Sequence, residues 1–348
     1  MPAAINLSCV AECFPREDRK LQIISSSFAD ECEVDLDDRD LSARGHWSDY
    51  PVGVAVMLER AGHRLRGARL ELHSEVPIGS GLSSSAAIEV STACALVANS
   101  GLTVARKELA LLCQQAENEF VGARVGIMDQ FVSLFGSAQK ALLLDCRSLE
   151  YKLLPLPEPV RLVVCNTMVK HDHASNAYNE RRKQCEAGVE HLARFLPEVT
   201  ALRDVTVEQL EQFGRDLPEV IYRRCRHVIT ENARVLAAAE ALESSELVRF
   251  GQLMAKSHAS LRDDYEVSSR ELDLMVELAS KIEGVYGARM TGGGFGGCTI
   301  NFVDVEHVDK FTGVIAEGYE QATGLKPEIY VCEASNGAEE ISHEEAQK

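Results

Sequence analysis

The stretch Pro77-Ile78-Gly79-Ser80-Gly81-Leu82-Ser83-Ser84-Ser85-Ala86-Ala87 decides how this sequence is interpreted. Before it, apolar and polar residues alternate over 68–73, which predicts a half-buried strand. After it, residues 86–98 are small and apolar, which predicts a tightly packed helix. A glycine-serine loop at a helix N-terminus offers unpaired backbone N–H groups, a favourable dipole and hydroxyl groups. We therefore predict that this loop binds an anion, with serine hydroxyls that donate to phosphate or ligate a metal ion.

Two common phosphate-binding motifs do not describe this loop. No Gly-Lys-Ser/Thr follows the glycines, so it is not a Walker A loop, and it is not Gly-x-Gly-x-x-Gly. The alternative is a simple turn whose serine caps the next helix. Three consecutive serines together with two glycines favour the anion site over that alternative.

Composition excludes several classes of partner. The chain has 348 residues, 45% of them hydrophobic, and a formal net charge of −18. Nucleic acids and anionic membranes bind basic patches, so we expect neither as a partner. Eleven cysteines without a C-x-x-C pair predict reduced thiols. We see no signal peptide and no apolar run of about 18 residues, so we expect a cytoplasmic protein.

The chain divides near a proline-rich segment. Residues 153–159 contain three prolines, which predicts a connector between a lobe at 1–157 and a lobe at 158–348. The pattern predicts further elements along the chain: strands within 1–76, helices at 47–58 and 103–120 (the second capped by Thr103), a strand at 161–166, helices over 178–247, strands over 288–303 and a frayed end in the last dozen residues.

Two carboxylates stand out against apolar surroundings. On a regular helix over 103–120, Glu117 borders the apolar face, where it is either a solvated edge residue or a metal ligand. Asp129 is the lone ionised group in the run 126–135, and a buried carboxylate needs a cation or a donor. Asp129 is therefore either a helix cap or a general base.

A second glycine cluster, residues 292–297, has five glycines in six positions. It is either a tight strand connection or a place where the backbone closely approaches a ligand or the first loop, and we favour the second interpretation. Other charged groups, Arg181-Arg182 and 262–266, are typical of solvated surface. His171-Asp172-His173 has no further ligand at a suitable spacing, so we do not expect zinc there.

Taken in order, these segments resemble the galactokinases of the GHMP small-molecule kinase superfamily. The two glycine-rich loops are similar to the second and third superfamily motifs, and the match runs from about Ala3 to Cys332. The segments that carry it are Pro77–Ala87, Ala116–Gly122, Gly126–Gln130, Asp145–Leu149, Asn179–Cys185, Arg262–Glu266 and Val285–Cys298.

The resemblance implies an α/β (α+β) fold of two lobes, the first similar to domain 2 of ribosomal protein S5 and the second ferredoxin-like. It implies ATP and Mg²⁺ as cofactors and transfer of the ATP γ-phosphoryl group to O1 of D-galactose. Residues implied to bind ATP are Trp47 and Tyr50 near the adenine and Gly79, Gly81, Ser83, Ser84, Ser85, Gly293 and Gly294 at the phosphates. It further implies Ser85 and Glu117 as metal ligands, Asp129 as the catalytic carboxylate, and Gly126, Asp129 and Tyr178 as sugar contacts.

One family motif has no match in this sequence. Galactokinases carry Gly-Arg-x-Asn-x-x-Gly-Glu-His-Thr-Asp-Tyr, and residues 1–5 resemble the strand that follows it. We therefore expect residues 1–348 to be weakly active or inactive as a galactokinase. Two alternatives are a kinase of a related sugar such as N-acetylgalactosamine and a non-catalytic sensor of galactose and ATP. We expect a monomer.

Overall fold

The computed structural model describes residues 1–169 and 174–341. The segment His171–His173, for which we expected no zinc, lies outside the described residues. The chain forms two compact units. Unit 1 contains residues 1–78, 82–154 and 333–348, and unit 2 contains residues 79–81 and 155–332. Within the described ranges, no helix is both long and apolar enough to cross a membrane.

Unit 1 is built on a four-stranded mixed sheet. Its strands are β1 (Cys9–Pro15), β2 (Lys20–Ser25), β3 (Asp30–Asp35) and β4 (Ala68–Ser74), in the order β1-β4-β2-β3. Strands β2 and β4 are parallel, and the other pairs are antiparallel. Alternation along β4 buries Ala68, Leu70 and Leu72 on one face, as the sequence predicted.

Helices cover the buried face of this sheet. They are α1 (Asp49–Arg60), α2 (Ser84–Asn99), α3 (Arg106–Gln115), a π-helical segment (Ala116–Val121) and α4 (Met128–Phe135). A hairpin of β5 (Lys140–Leu144) and β6 (Tyr151–Pro155) completes the unit. Leu21, Ile23, Leu58, Leu96 and Phe131 are among the fully buried residues of the core between sheet and helices.

Residues 333–341 return to unit 1 after the whole of unit 2 has been traversed. Ala334 forms a bridge with Ile5, and its carbonyl oxygen accepts from the N–H of Gln139 at 3.0 Å. The N–H of Ala338 donates to the carbonyl oxygen of Ser133 at 2.7 Å. The expectation of a frayed end was therefore wrong for Gly337 and Ala338, which are fixed by backbone hydrogen bonds.

Unit 2 contains a four-stranded sheet in which all neighbours are antiparallel. Its strands are β7 (Val160–Asn166), β8 (Val285–Met290), β9 (Cys298–Asp304) and β10 (Glu328–Cys332), in the order β10-β7-β9-β8. If β7 to β10 are numbered 1 to 4, this order is 4-1-3-2. This is the ferredoxin-like arrangement that the resemblance implied. Its helices are α5 (Ala174–Ala193), α6 (Val207–Phe213), α7 (Glu219–Glu243), α8 (Leu247–Ser260), a π-helical segment (Leu261–Tyr265), α9 (Arg270–Ser280) and α10 (Val308–Thr323).

Two local expectations were wrong, and the predicted connector overlaps the end of a strand. Thr103 does not cap a helix, because α3 begins at Arg106 after Ala105. The proline-rich connector begins within β6, which extends to Pro155. The charged segment 262–266 is not simply solvated surface, because Glu266 pairs with Arg224, whose side chain is 2% exposed.

Candidate active site

The glycine-serine loop lies between β4 and α2, as the sequence predicted. Gly79, Gly81 and Ser83 all have positive φ values, of 70°, 83° and 59°. A serine in the left-handed region is strained by about 1–2 kcal/mol, and such strain is found mostly at functional sites. Ser83 precedes α2 but makes no side-chain capping bond, so its hydroxyl does not satisfy the first-turn N–H groups.

The second glycine cluster closely approaches residues 79–81 within unit 2. A β-carbon on Gly292 would lie 3.0 Å from the carbonyl oxygen of Gly81, and the φ of Gly292 is +75°. One on Gly294 would collide with the carbonyl oxygen of Val267, whereas Gly293 has open space on that side. The interpretation that this cluster allows a close backbone approach to the first loop is therefore confirmed.

Glu117 is buried rather than solvated at a helix edge. It lies on the π-helical segment that follows α3 and is 6% exposed. The side chain of Asn118 holds this segment to the loop before α4, because it accepts from the N–H of Val125 at 2.7 Å and donates to its carbonyl oxygen at 3.2 Å. Single π turns are frequent at functional sites.

Three further side chains surround Glu117. The Ser85 hydroxyl lies close enough to its carboxyl group to lower the pKa of Glu117. The side-chain amide of Gln130 donates to Glu117 Oε2 at 2.8 Å and to Glu89 Oε2 at 3.0 Å. Glu89 and Gln130 are 0% and 1% exposed. The structure thus brings together the two residues implied as metal ligands, Ser85 and Glu117.

Burial sets the electrostatics of this cluster. Burial, and then the nearby charge of Glu117, raises the pKa of Glu89 to about 9. Burial also raises the pKa of Glu117, against the lowering effect of its bond from Ser85. Burial and then the charges of Glu117 and Glu89 raise the pKa of Tyr50. Burial therefore disfavours the ionised forms of these carboxyl groups, and a cation bound beside Glu117 would favour its ionised form.

Asp129 lies in the first turn of α4, next to Gln130 in the chain. It is half-buried, and its charge contributes to the raised pKa values of Glu89 and Glu117. It is not the cap of α4, a position that Ile127 occupies. Gly126 is exposed with open space beside it, and Tyr178 on α5 of unit 2 is 42% exposed.

Trp47 lies beside an aromatic partner ahead of α1. Its ring stacks on Phe28 with centroids 5.4 Å apart, and its indole N–H donates to Asp30 Oδ2 at 3.0 Å. Tyr50 follows on the first turn of α1 and packs against the core of unit 1, as does part of Trp47.

The donor set suits Mg²⁺ rather than a metal held by protein alone. Among the described residues, no group of three or more His, Cys, Asp or Glu side chains could hold a metal ion. Mg²⁺ in phosphoryl-transfer sites takes one or two carboxylates and completes its octahedron with phosphate oxygens and water. Glu117 beside Ser85 fits this pattern, and Glu89 Oε1 is a buried oxygen without a hydrogen-bond partner.

Sequence reasoning missed Glu89 and Gln130. The one available signal was an acidic residue four positions after Ser85, on the same face of a helix that is otherwise small and apolar. The Gln130 amide carried no such signal, because its partners are 13 and 41 residues away in the chain.

Comparison with known proteins gives consistent matches. The family described as GHMP kinases N terminal domain matches residues 49–137, and the one described as GHMP kinases C terminal matches residues 238–321. Galactokinases of Roseiflexus sp. (strain RS-1) and Chloroflexus aurantiacus are each 45% identical to the chain over 336 residues, which is 97% of this chain and 86% of theirs.

Solved structures agree with these matches. The galactokinase of Lactococcus lactis, crystallised with galactose, superposes with a TM-score of 0.93 at 35% identity and covers 97% of this chain and 88% of its own. A mevalonate kinase of Methanococcus jannaschii reaches a TM-score of 0.63 at 17% identity, over 96% of this chain and 90% of its own. The second likeness is one of fold alone.

Proposed function

The chain belongs to the galactokinase family of the GHMP kinases, and we propose that it transfers the γ-phosphoryl group of ATP to O1 of D-galactose. The observation that carries the proposal is the position of Ser85, in the first turn of α2, beside buried Glu117, whose pKa it lowers. A glycine-serine loop at a helix N-terminus beside a buried carboxyl group suits a metal-bound polyphosphate.

The residues take the following proposed roles toward ATP. The phosphates bind the N–H groups and hydroxyls of Ser83, Ser84 and Ser85, while Gly79, Gly81, Gly293 and Gly294 allow close approach of the backbone. The adenine lies near Trp47 and Tyr50. Glu117 and Ser85 hold Mg²⁺, which when bound neutralises charge on the phosphate oxygens.

Asp129 is the proposed catalytic residue. Its carboxylate orients the O1 hydroxyl of the sugar and accepts its proton as O1 bonds to the γ-phosphorus and the bond to ADP breaks. Gly126 and Tyr178 are proposed sugar contacts.

Five further expectations from the sequence stay predictions. They are the lobe limits 1–157 and 158–348, a monomeric state, a cytoplasmic location, the absence of nucleic-acid and membrane partners, and low turnover by residues 1–348. All eleven cysteines are free thiols, which supports a reducing location.

The test is ADP release from MgATP with the chain in excess, using galactose, N-acetylgalactosamine, glucose and no sugar in parallel. We expect galactose to give the highest kcat/KM. Preference for N-acetylgalactosamine would replace the proposed substrate. Binding of both ATP and galactose without ADP release, by this chain and also by a version extended with the N-terminal family motif, would replace the enzyme by a sensor.

A further inference from the structure

The cluster around Glu117 contains an arrangement that the proposed metal ligands do not by themselves explain. The two hydrogens of the Gln130 side-chain amide bond to two different carboxylates, Glu117 at 2.8 Å and Glu89 at 3.0 Å. A carboxamide nitrogen has two hydrogens, so both donors are used. Both N–H donors of Gln130 are therefore occupied, and together they fix the orientation of its side-chain amide.

These bonds set the orientation of the Glu117 carboxylate. Gln130 reaches it from α4 and Ser85 from α2, so two separate helices hold one side chain. Partners of this kind orient metal ligands, and their loss costs metal affinity even though they do not touch the metal.

Glu89 gives Gln130 its second anchor. It lies one helical turn after Ser85 on α2, is completely buried, and accepts from Gln130 with Oε2. Without that acceptor, the second N–H of Gln130 would be buried and unpaired, and the amide could turn away from Glu117. Burial of a carboxyl group costs folding free energy, so packing alone does not explain why Glu89 occupies this position.

We propose that Gln130 is a positioning residue for the metal site and that Glu89 positions Gln130 in turn. The inference rests on the proposed role of Glu117 as a metal ligand. A merely structural network would change the stability of unit 1 but not the energetic coupling between metal and nucleotide.

The experiment measures that coupling by calorimetry, as the ratio of ATP affinities with saturating Mg²⁺ and with EDTA. Gln130→Met keeps the volume and removes both donors. We expect it to lower the ratio by about 10- to 100-fold, with the metal-free affinity unchanged. Val132→Ala, on the same helix but outside the network, is the matched control and should keep the ratio.

Two variants at Glu89 make the test independent of whether Gln130→Met folds. Glu89→Gln retains an oxygen acceptor and should keep the ratio, whereas Glu89→Leu should lower it. Folding of each variant is checked by circular dichroism.

The outcomes separate this inference from the proposed function. A folded Gln130→Met variant with the wild-type ratio would overturn the inference alone, as would equal ratios for the two Glu89 variants. A ratio of one in the unchanged chain would mean that Mg²⁺ does not change its affinity for ATP. That result would contradict the proposed metal site and therefore both proposals.

Discussion

A β-carbon built on Gly292 lies 3.0 Å from the carbonyl oxygen of Gly81, so the two glycine-rich loops approach each other more closely than a side chain at position 292 permits. The φ of Gly292, +75°, is also one that other residues rarely adopt. Two independent features thus require glycine at this position.

Gly292→Ala should therefore destabilise unit 2. The left-handed conformation and the close contact together cost about 1–3 kcal/mol of unfolding free energy. Urea denaturation measures the loss. Gly293→Ala is the control, because that position has a negative φ and open space beside it. Equal stabilities of the two variants would contradict the argument.

Trp47 is the single tryptophan of the chain and reports on the proposed adenine site. We expect ADP to change its fluorescence saturably, because a base near the stacked Trp47–Phe28 pair alters the surroundings of the indole. Tripolyphosphate, which has no base, should compete for the phosphate loop without that change. A response to tripolyphosphate equal to that of ADP would place the adenine elsewhere.

Glu117→Gln should weaken the dependence of nucleotide affinity on Mg²⁺ by about tenfold or more, because a neutral amide replaces the proposed metal-binding charge. Glu119→Gln is the matched control: it lies two residues further on the same π-helical segment, where its side chain is exposed. Titration of MgADP against metal-free ADP separates the two variants. If both behave alike, Glu117 does not bind the metal.

Asp129→Asn should lower the rate of ADP release by about 10²- to 10⁴-fold if the carboxylate accepts the sugar proton. Affinity for MgATP should change little, because the amide keeps the shape of the side chain. Single-turnover measurements with the chain in excess provide the rate. Unchanged turnover would remove Asp129 from the proposed mechanism.

The raised pKa of Glu89 predicts a pH dependence of stability. The pKa rises on folding from its ordinary value of 4.5 to about 9, so the folded state binds more protons than the unfolded state between these values. The contribution of Glu89 is thus fully present below about pH 4.5 and is lost as the pH rises toward 9. Glu89→Gln cannot titrate.

The stability of Glu89→Gln relative to the unchanged chain should therefore increase from pH 5 to pH 8.5. Urea midpoints across this range measure the difference. A difference that stays constant with pH would show that Glu89 is ionised in the folded protein.

Sequence patterning predicted the loop, strand β4 and helix α2 because each depends on neighbouring residues. The alternation that buries Leu70 and Leu72 and the glycines of the loop are local signals. The ferredoxin-like order of the second sheet came instead from the resemblance, since strand order depends on contacts far apart in sequence.

The surroundings of Glu117 could not be predicted in the same way. A regular helix places this residue at the edge of the apolar face, but the chain forms a π turn there and Asn118 fastens it to Val125. Glu89 similarly depends on Gln130, which is 41 residues away. Periodicity carries no information about partners at that separation.

The pairing of Ile5 with Ala334 makes unit 1 a discontinuous structure interrupted by residues 155–332. This bridge forms only when both distant segments are present, so on the ribosome unit 2 can fold while unit 1 still lacks its last hydrogen bonds. Because these segments meet side by side, joining them with a short linker and opening the chain at an exposed turn should preserve the architecture. The order in which the segments are synthesised therefore need not be the order in which the two units complete their folding.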